Sequence, residues 1–289
     1  MKIIKRKLGN KEFYYLKHSF RKDGKIITRE KYLGKELPLG ETLEKLKKDL
    51  LEEEKSELNK KLENIRINFQ REWSSLPESS KEKALEQIAI AFTYNTNAIE
   101  GSKITLEETR EIIEDKISPN KPLRDVKETE QHAKVFLNML NKKENITKEL
   151  ILNWHTKIFQ ESKEDIAGKF RNHLVTVGEY LAPDWQDVES LMKDFFDFIK
   201  NKPRDMIFIE FVARVHFRFE RIHPFSDGNG RIGRLIINYL LWHEGYPVLI
   251  IDYKKRKFYY TAFLKDEDDF VKYFLRRYLK THQRRLLER

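Results

Sequence analysis

The chain has 289 residues, of which 39% are hydrophobic and 36% charged, enough apolar material for a packed core and for one or two domains. It contains no cysteine, which excludes disulfides and thiolate metal sites. The net charge of +10 is uneven, since residues 1–40 carry +8, residues 250–289 carry +6, and the body between them carries −4. The amino terminus has no signal-peptide core and no apolar run could span a bilayer, so we expect a cytoplasmic protein without a membrane partner.

Residues 1–38 are predicted to form a small β module with strongly basic faces. Aromatic and β-branched residues dominate two stretches, EFYYLKHSF and KIITREKYL. Asp23-Gly24 between them is typical of a hairpin turn because glycine tolerates positive φ. A lone hairpin is only marginally stable, so it should pack on another element. Its charge would suit nucleic acid or an acidic partner, and a merely solvated surface is the simpler alternative.

Helices are predicted over most of the remaining chain. Residues 41–73 are rich in Leu, Glu and Lys without Gly or Pro, which predicts one long helix. A second helix should begin near Ser80 and end at Gly101, a natural C-cap residue. The TLEE segment at 105–108 is a capping box that opens the next helix. Further helical patterns lie at 125–143, 148–160, 185–200 and 205–221. Another is RLIINYLLWHEGYP, closed by Gly245 and Pro247, and the segments FYYTAF and DDFVKYFLRRYLKTH predict two closing helices.

One segment interrupts the helical pattern. HLVTVGEYL alternates in polarity and carries β-branched residues, and Pro183 ends it. This pattern predicts a short exposed hairpin, or flap, centred on Val175, Thr176, Val177 and Gly178. Such a hairpin can bind a target segment by adding a strand, or it can simply connect two helices; both alternatives stay open.

The segment HPFSDGNGR, residues 223–231, lies between two of the predicted helices. Gly228 and Gly230 together would cost about 2 kcal/mol relative to alanine in a helix interior, so they should lie where the second helix begins. Free N–H groups converge at a helix N-terminus, the helix dipole favours negative charge there, and glycine permits close approach. The segment therefore predicts an anion site suited to phosphate.

Side chains around this turn suit chemistry on a phosphoryl-type group. Arg231 and Arg234 are three residues apart, so they share one helix face and can bind phosphate oxygens. Asp227 suits a Mg²⁺ held between a carboxylate and phosphates, and His223 is a base that titrates near neutral pH. A hydrolase metal site is disfavoured because no third ligand stands at suitable spacing. The pattern predicts transfer of a phosphoryl-type group.

These residues also carry a resemblance to a known family. Residues 223–234 match all eight fixed positions of the Fic family signature, H-x-F-x-[D/E]-G-N-G-R-x-x-R. The stretch GKFR…VTVG…PDW is similar to the family's flap, and FYYTAF is similar to its late Tyr-Tyr helix. The resemblance implies a mainly α fold, a Fic-type helical bundle with a short β-hairpin flap. The predicted domains are a β-hairpin module at 1–38, a connecting helix at 39–77 and a Fic domain at 78–289.

The resemblance implies a protein adenylyltransferase, an enzyme that moves AMP from ATP to a Ser, Thr or Tyr hydroxyl of a protein. His223 would take the hydroxyl proton, and Asp227 would hold Mg²⁺ on the α- and β-phosphates. The implied phosphate contacts come from Gly228, Asn229, Gly230, Arg231 and Arg234. Doc-like kinases carry a lysine where Gly230 stands, so Gly230 favours AMP transfer.

The adenine contacts are less defined. Tyr259 and Tyr260 would stack on the base according to the resemblance, and core aromatics are the alternative. The family often places an Asn after them, which FLKDEDDF lacks, so the choice of nucleotide stays open. We interpret the motif-free histidines as structural: His155, His216 and His243.

A second stretch, TNAIEG, resembles the family's inhibitory pattern [S/T]-x-x-x-E-[G/N] with Thr96, Glu100 and Gly101 in its fixed positions. The resemblance implies that Glu100 pairs with Arg234 and keeps it from the γ-phosphate of ATP. Because this helix precedes the main motif, the chain resembles the subgroup with an intramolecular N-terminal inhibitory helix.

Three functions stay open from the sequence. The first is an autoinhibited adenylyltransferase, with self-modification and a homodimer as further expectations. The second is a de-AMPylating phosphodiesterase that uses the same residues, with Glu100 positioning water. The third is a nucleic-acid-binding regulatory protein with a Fic fold, suggested by the basic residues 1–38.

Overall fold

The computed structural model describes residues 1–22, 25–38 and 40–286 of the chain. It divides into two compact units, Met1–Lys61 and Leu62–Arg289. The turn predicted at Asp23-Gly24 lies outside the described residues. Among the residues that are described, no helix combines the length and the apolar character needed to cross a bilayer.

The first unit holds an antiparallel sheet and the start of a long helix. The strands β1 (Lys2–Leu8), β2 (Lys11–Lys22) and β3 (Lys25–Gly34) follow one another in the sheet. The sequence predicted a hairpin, which β2 and β3 form; β1 adds a third strand that pairs with β2. The helix α1 (Glu41–Ser74) matches the predicted range closely because nothing in it breaks a helix.

The second unit is helical with one small hairpin, which confirms the mainly α fold. After the end of α1 its helices are α2 (Glu78–Ile99), α3 (Leu106–Arg110), α4 (Leu123–Asn141), α5 (Lys148–Phe159), α6 (Val188–Lys200), α7 (Phe208–Ile222), α8 (Asn229–His243), α9 (Arg256–Phe263) and α10 (Glu267–Thr281). The capping box at Thr105 and Glu108 is present. The strands β4 (Thr176–Val177) and β5 (Tyr180–Leu181) form the hairpin between α5 and α6.

The helix α8 forms the centre of this unit. Its apolar side chains point in several directions and are almost all inaccessible to solvent, as expected for a helix enclosed by others. The fully buried ones are Ile232, Leu235, Ile236, Ile237 and Leu241. Burial of each such side chain contributes about 1.5–3 kcal/mol, so the N-terminus of α8 is a firmly anchored base for the site.

Candidate active site

The join between α7 and α8 has the conformation that an anion cradle needs. His223 ends α7 in a left-handed conformation, with φ 51°. Gly228 caps α8 with φ 81°, and a Cβ there would lie 2.4 Å from the ring of Phe159, so glycine is required. Asn229 holds the loop, because its amide accepts from Phe225 N and donates to Phe225 O, each at 2.8 Å. Its side chain therefore braces the backbone that forms the cradle.

The imidazole of His223 is oriented by the backbone. Its Nδ1 lies 3.3 Å from the main-chain oxygen of Glu220. A carbonyl only accepts, so Nδ1 carries the proton and Nε2 keeps a free lone pair. Burial lowers the pKa of His223 from its ordinary 6.5, and the ring is therefore neutral at pH 7.

Glu220 is a buried carboxyl beside this base that sequence reasoning missed. Its Oε2 lies 3.9 Å from His223 Nδ1, and its Oε1 has no hydrogen-bond partner among the described residues. Burial raises the pKa of Glu220 to about 8, so it is mostly neutral at pH 7. Its place three residues before His223, on the same helix face, was the available indication.

Arg171 is a second residue that sequence reasoning missed. It is 3% exposed and donates from Nε to the main-chain oxygen of His223 at 2.9 Å. Its other nitrogens donate to the main-chain oxygens of His173 at 2.9 Å and Pro183 at 2.6 Å. Arg171 therefore ties the backbone of His223 to both ends of the flap, and it belongs to the stretch GKFR that carried the flap resemblance.

The flap is a two-stranded hairpin, as the alternating pattern predicted. Thr176 pairs with Leu181, and Val177 pairs with Tyr180. Gly178 provides the turn with φ 60°. Val177 is 42% and Leu181 60% exposed, so apolar groups at this hairpin face solvent. Val175 closes the base of the hairpin by accepting from Ala182 N at 3.1 Å.

Asp227 lies at the start of the cradle in a cationic environment. Its Oδ2 is 2.5 Å from Lys163 Nζ, and its Oδ1 is 3.5 Å from Arg231 Nη2. Burial alone would raise its pKa, but Arg231 and Lys163 hold that pKa below its usual value. No cluster of three metal-ligating side chains occurs in the described part of the chain. One ionised carboxylate fits Mg²⁺ that shares its coordination with substrate phosphates, as Mg²⁺ commonly does.

Arg231 is almost fully buried and is held by a long-range partner. Its guanidinium pairs with Glu128 Oε2 on α4 and lies 4.3 Å from the ring centre of Phe159. A cavity of about 150 Å³ lies beside it, among Glu100, Glu128, Lys163 and other charged residues. Ligand pockets commonly exceed about 300 Å³, so this cavity is too small for a whole nucleotide.

Arg234 is bound by residues at the C-terminal end of α2. It is 2% exposed, and its Nη2 lies 2.5 Å from Glu100 Oε1. Its Nε donates to Thr96 Oγ1 at 2.5 Å, and Nη2 also donates to Thr96 O at 3.2 Å. Burial opposes the charge of Arg234, yet the Glu100 carboxylate raises its pKa, so it remains a cation.

The position of Glu100 is fixed by the way α2 ends. Gly101 adopts φ 94° and donates from its N–H to Ala98 O at 3.1 Å, while Ser102 N donates to Asn97 O at 3.0 Å. These two bonds form a Schellman motif, which requires a left-handed residue at Gly101. The backbone of Glu100 is thereby held next to the site.

Gly230 shows where the Glu100 carboxylate lies. A Cβ at Gly230 would be 2.2 Å from Glu100 Oε1 and 2.8 Å from Arg234 Nη1. The carboxylate therefore lies against the first turn of α8, which is the position predicted from sequence for an anion.

Only one of the two tyrosines predicted to contact adenine has an exposed ring. Tyr259 is 2% exposed, and its hydroxyl is hydrogen-bonded to the buried His216 at 2.7 Å. Tyr260 is 45% exposed and donates to Ile99 O at 2.9 Å. Both ring nitrogens of His155 are hydrogen-bonded to the backbone: Nε2 to Asp227 O at 3.0 Å, and Nδ1 to Gly168 N at 2.9 Å. These contacts fit the structural role expected for His155.

The sequence of this chain is similar to that of a known protein family. Residues 145–241 match the model of the Fic/DOC family. The chain is 32% identical over 210 residues to "Protein adenylyltransferase Fic" of Nematostella vectensis, covering 70% of this chain and 49% of that protein. It is 30% identical to the protein of the same name from Aedes aegypti, covering 67% of this chain and 40% of that one. The chain thus spans half or less of these relatives.

Solved structures share the fold. Fic-1 from C. elegans matches with a TM-score of 0.68 and 26% identity, over 82% of this chain and 72% of that chain. A Fic domain containing signaling protein from Bacteroides thetaiotaomicron matches with a TM-score of 0.67 and 21% identity, over 77% of this chain and 95% of that one. The family model covers α8, the loop before it and the flap, and the fold extends over most of the chain. This chain therefore contains a Fic/DOC family domain.

Proposed function

We propose that this protein is an autoinhibited protein adenylyltransferase that takes AMP from ATP and attaches it to a Ser, Thr or Tyr hydroxyl of a target protein. One observation supports the proposal above all others. A neutral imidazole and a buried arginine flank the glycine-bounded N-terminus of α8, and a carboxylate lies against the anion position there. The names of the relatives support the same activity.

In the proposed reaction His223 acts as the general base. The target hydroxyl oxygen attacks the α-phosphorus of ATP, the new O–P bond forms, and the bond to the β-phosphate oxygen breaks. His223 Nε2 accepts the hydroxyl proton, and pyrophosphate leaves. The hydrogen bond from Nδ1 to Glu220 O keeps the free lone pair on Nε2.

The phosphates would be held by the first turn of α8 and by the arginines. Backbone N–H groups at Asn229 and Gly230 would donate to the phosphate oxygens. The N–H of Gly228 donates to Asp227 Oδ1 at 2.6 Å, and it would become available once Asp227 turns to Mg²⁺. Asp227 would hold Mg²⁺, which when bound neutralises phosphate charge. Arg231 is fixed by Glu128, and Arg234 would contact the terminal phosphate once Glu100 has moved.

Inhibition would follow from occupation of the same place by Glu100. Its carboxylate neutralises Arg234 and lies over Gly230, where an ATP phosphate would come. Two anions cannot share this position without strong repulsion. We therefore propose that α2 inhibits the domain within the same chain, through Thr96, Glu100 and Gly101.

The target would be presented at the flap. The exposed apolar groups of Val177 and Leu181 lie at a hairpin edge that can accept an additional strand from a protein segment. Arg171 holds this hairpin to the His223 backbone, which would position the target hydroxyl relative to the base.

Mass spectrometry of the protein incubated with Mg²⁺ and each nucleoside triphosphate tests the activity. The variant Glu100→Gly should gain the mass of one nucleoside monophosphate with ATP, because the protein itself can serve as an acceptor. Absence of any such gain, on itself and on candidate targets, contradicts the proposal. If incubation removes AMP from a modified target and never adds it, the phosphodiesterase function is the correct one.

Replacement of Thr96 by valine should also release activity. The change keeps the shape of the side chain but removes the acceptor for Arg234 Nε. We expect AMP transfer to rise severalfold, less than in Glu100→Gly because the ion pair stays. Thr109→Val is the matched control and should leave the rate unchanged. Thr109 is also buried, but its hydroxyl donates to the main-chain oxygen of Thr105 and bonds no arginine among the described residues. If Thr96→Val and Thr109→Val have the same rate, Thr96 does not contribute to the proposed inhibition.

The rate should depend on pH through His223. Only the neutral ring accepts a proton, and burial lowers its pKa below 6.5. The Glu100 carboxylate raises this pKa, so its removal lowers the value further. Initial rates of Glu100→Gly should therefore stay constant as the pH falls to about 6.5 and decline only below it. A half-maximal rate at a pH above 6.5 would contradict a buried neutral base.

A further inference from the structure

The sheet of the first unit has one face that carries a cluster of aromatic side chains. In the strand register Ile4 lies opposite Tyr15, and Tyr15 lies opposite Tyr32. Arg6 lies opposite Phe13 on the same face. Residues directly opposite each other in a sheet project to one side, so these side chains are neighbours. We call this side the aromatic face.

The other face of the sheet packs on α1. Leu16 projects from that other face and is fully buried. His18 Nδ1 lies 2.7 Å from Glu54 Oε1, and Arg29 Nη2 lies 2.5 Å from Glu57 Oε1. Successive strand residues project to opposite sides, so α1 covers the face opposite to the aromatic one.

The rings of the aromatic face contact one another; Tyr32 is exposed, whereas Phe13 and Tyr15 are half-buried. The ring centres of Tyr15 and Tyr32 are 5.4 Å apart, and those of Phe13 and Tyr32 are 6.2 Å apart. Tyr32 is 52% exposed, although it lies in the middle of the cluster. Single exposed aromatics are ordinary, whereas an exposed ring that continues into further half-buried rings indicates a binding surface.

The charge of the aromatic face is positive and largely uncompensated. It carries Lys2, Arg6, Lys11 and Lys17, and Glu30 is its one acidic residue within the described strands. Glu30 pairs with Arg6 at 2.8 Å. Within the described residues the three lysines form no ion pair. The cations described on the opposite face are paired. Arg29 and Lys31 pair with carboxylates of α1, and Lys5 and Lys7 pair with Glu12 of β2.

We infer that the aromatic face binds single-stranded nucleic acid. Bases would stack first on the exposed ring of Tyr32, beside Phe13 and Tyr15, and the phosphates would contact the three lysines. The guanidinium of Arg6 lies over the Tyr15 ring, 5.1 Å from its centre, and adds positive charge there. Stacking suits a single strand because every unpaired base offers a π-face, whereas a duplex keeps its bases stacked inside. This binding site is separate from the residues of the proposed AMP transfer and needs no nucleotide triphosphate.

Fluorescence anisotropy of labelled oligo-U and oligo-dT, each about 12 nucleotides long, tests the inference on the full chain. Both strands should bind at about 50 mM salt, and log affinity should fall linearly with log salt. Comparison of the affinities for oligo-U and oligo-dT shows whether the preferred ligand is RNA or DNA. Binding is measured without ATP, so the result is independent of catalysis.

Two variants separate stacking from charge. Tyr32→Ala should weaken binding about fivefold to 100-fold without changing the salt slope, while Tyr32→Phe should retain affinity. The triple change Lys2→Gln, Lys11→Gln and Lys17→Gln should reduce the magnitude of the slope by about 2, since each phosphate contact on a single strand contributes about 0.7.

A matched triple variant removes the same charge elsewhere. Lys48→Gln, Lys134→Gln and Lys142→Gln alter lysines whose side chains are 77%, 57% and 66% exposed, and should leave binding unchanged. Absence of binding at low salt, an equal loss in the two triple variants, or equally tight binding of a duplex would each overturn the inference.

Discussion

Replacement of Glu100 by glycine is expected to raise AMP transfer from ATP about tenfold or more. The change removes the carboxylate that lies 2.5 Å from Arg234 and against Gly230, so both the cation and the anion position become available to ATP. A hydrogen bond to a charged group contributes about 1.5–3 kcal/mol, and each 1.4 kcal/mol is about a factor of ten.

The measurement is the initial rate of AMP incorporation, together with ATP affinity by calorimetry. Glu82→Gly is the control, because it removes another acidic residue of α2 at an exposed position. The substitution at residue 100 does not alter a strained position, because the left-handed conformation at this helix end belongs to Gly101. If ATP binds the variant tightly while the rate stays at the wild-type level, Glu100 does not restrain the enzyme.

Replacement of His223 by alanine, in the activated Glu100→Gly background, should lower the transfer rate by about 10²–10⁴-fold. The loss arises because no other neutral base with a free nitrogen is held at this turn. Nucleotide affinity should stay within a few fold, since the phosphate donors come from α8 and the arginines.

Because His223 has φ 51°, a conformation that histidine and asparagine adopt more readily than alanine, alanine is less well suited to this position. His223→Asn is therefore the second variant, since asparagine tolerates this conformation and cannot act as the base. His243→Ala, at the far end of α8, is the control for the loss of a histidine. Loss of ATP binding in both His223 variants, with normal melting temperatures, would make His223 a binding residue and not the base.

The turn between α7 and α8 was predictable because its determinants are local. The positive φ of Gly228 and the start of α8 at Asn229 follow from glycines in one short segment. The same holds for the end of α2, where Gly101 follows the last helical residues. The flap was predictable from alternation and one glycine at its turn.

Contacts between distant segments were not predictable. Arg231 and Glu128 are 103 residues apart, and no periodicity links them. Arg171 donates to the main-chain oxygen of His223. Because every residue has a main-chain oxygen, the sequence cannot indicate which one accepts this bond. The resemblance also gave no indication that the side-chain amide of Asn229 bonds the backbone of Phe225.

The tyrosine pair illustrates the limit set by helix geometry. Adjacent helical residues project about 100° apart, so Tyr259 and Tyr260 cannot share one environment. Sequence alone did not decide which ring is exposed, because the neighbours of Tyr259, among them His216 and Arg234, come from two other helices. The third strand β1 was obscured by its many lysines, although Gly9-Asn10 marks the turn that joins it to β2.

Gly230 lies where the proposed inhibition and the proposed phosphate binding meet. Any side chain there would collide with both the carboxylate of Glu100 and the guanidinium of Arg234. If Glu100 inhibits the domain as proposed, a bulky residue at this position would displace its carboxylate and so weaken the inhibition. The size of residue 230 and the inhibition by α2 would then be expected to change together during divergence.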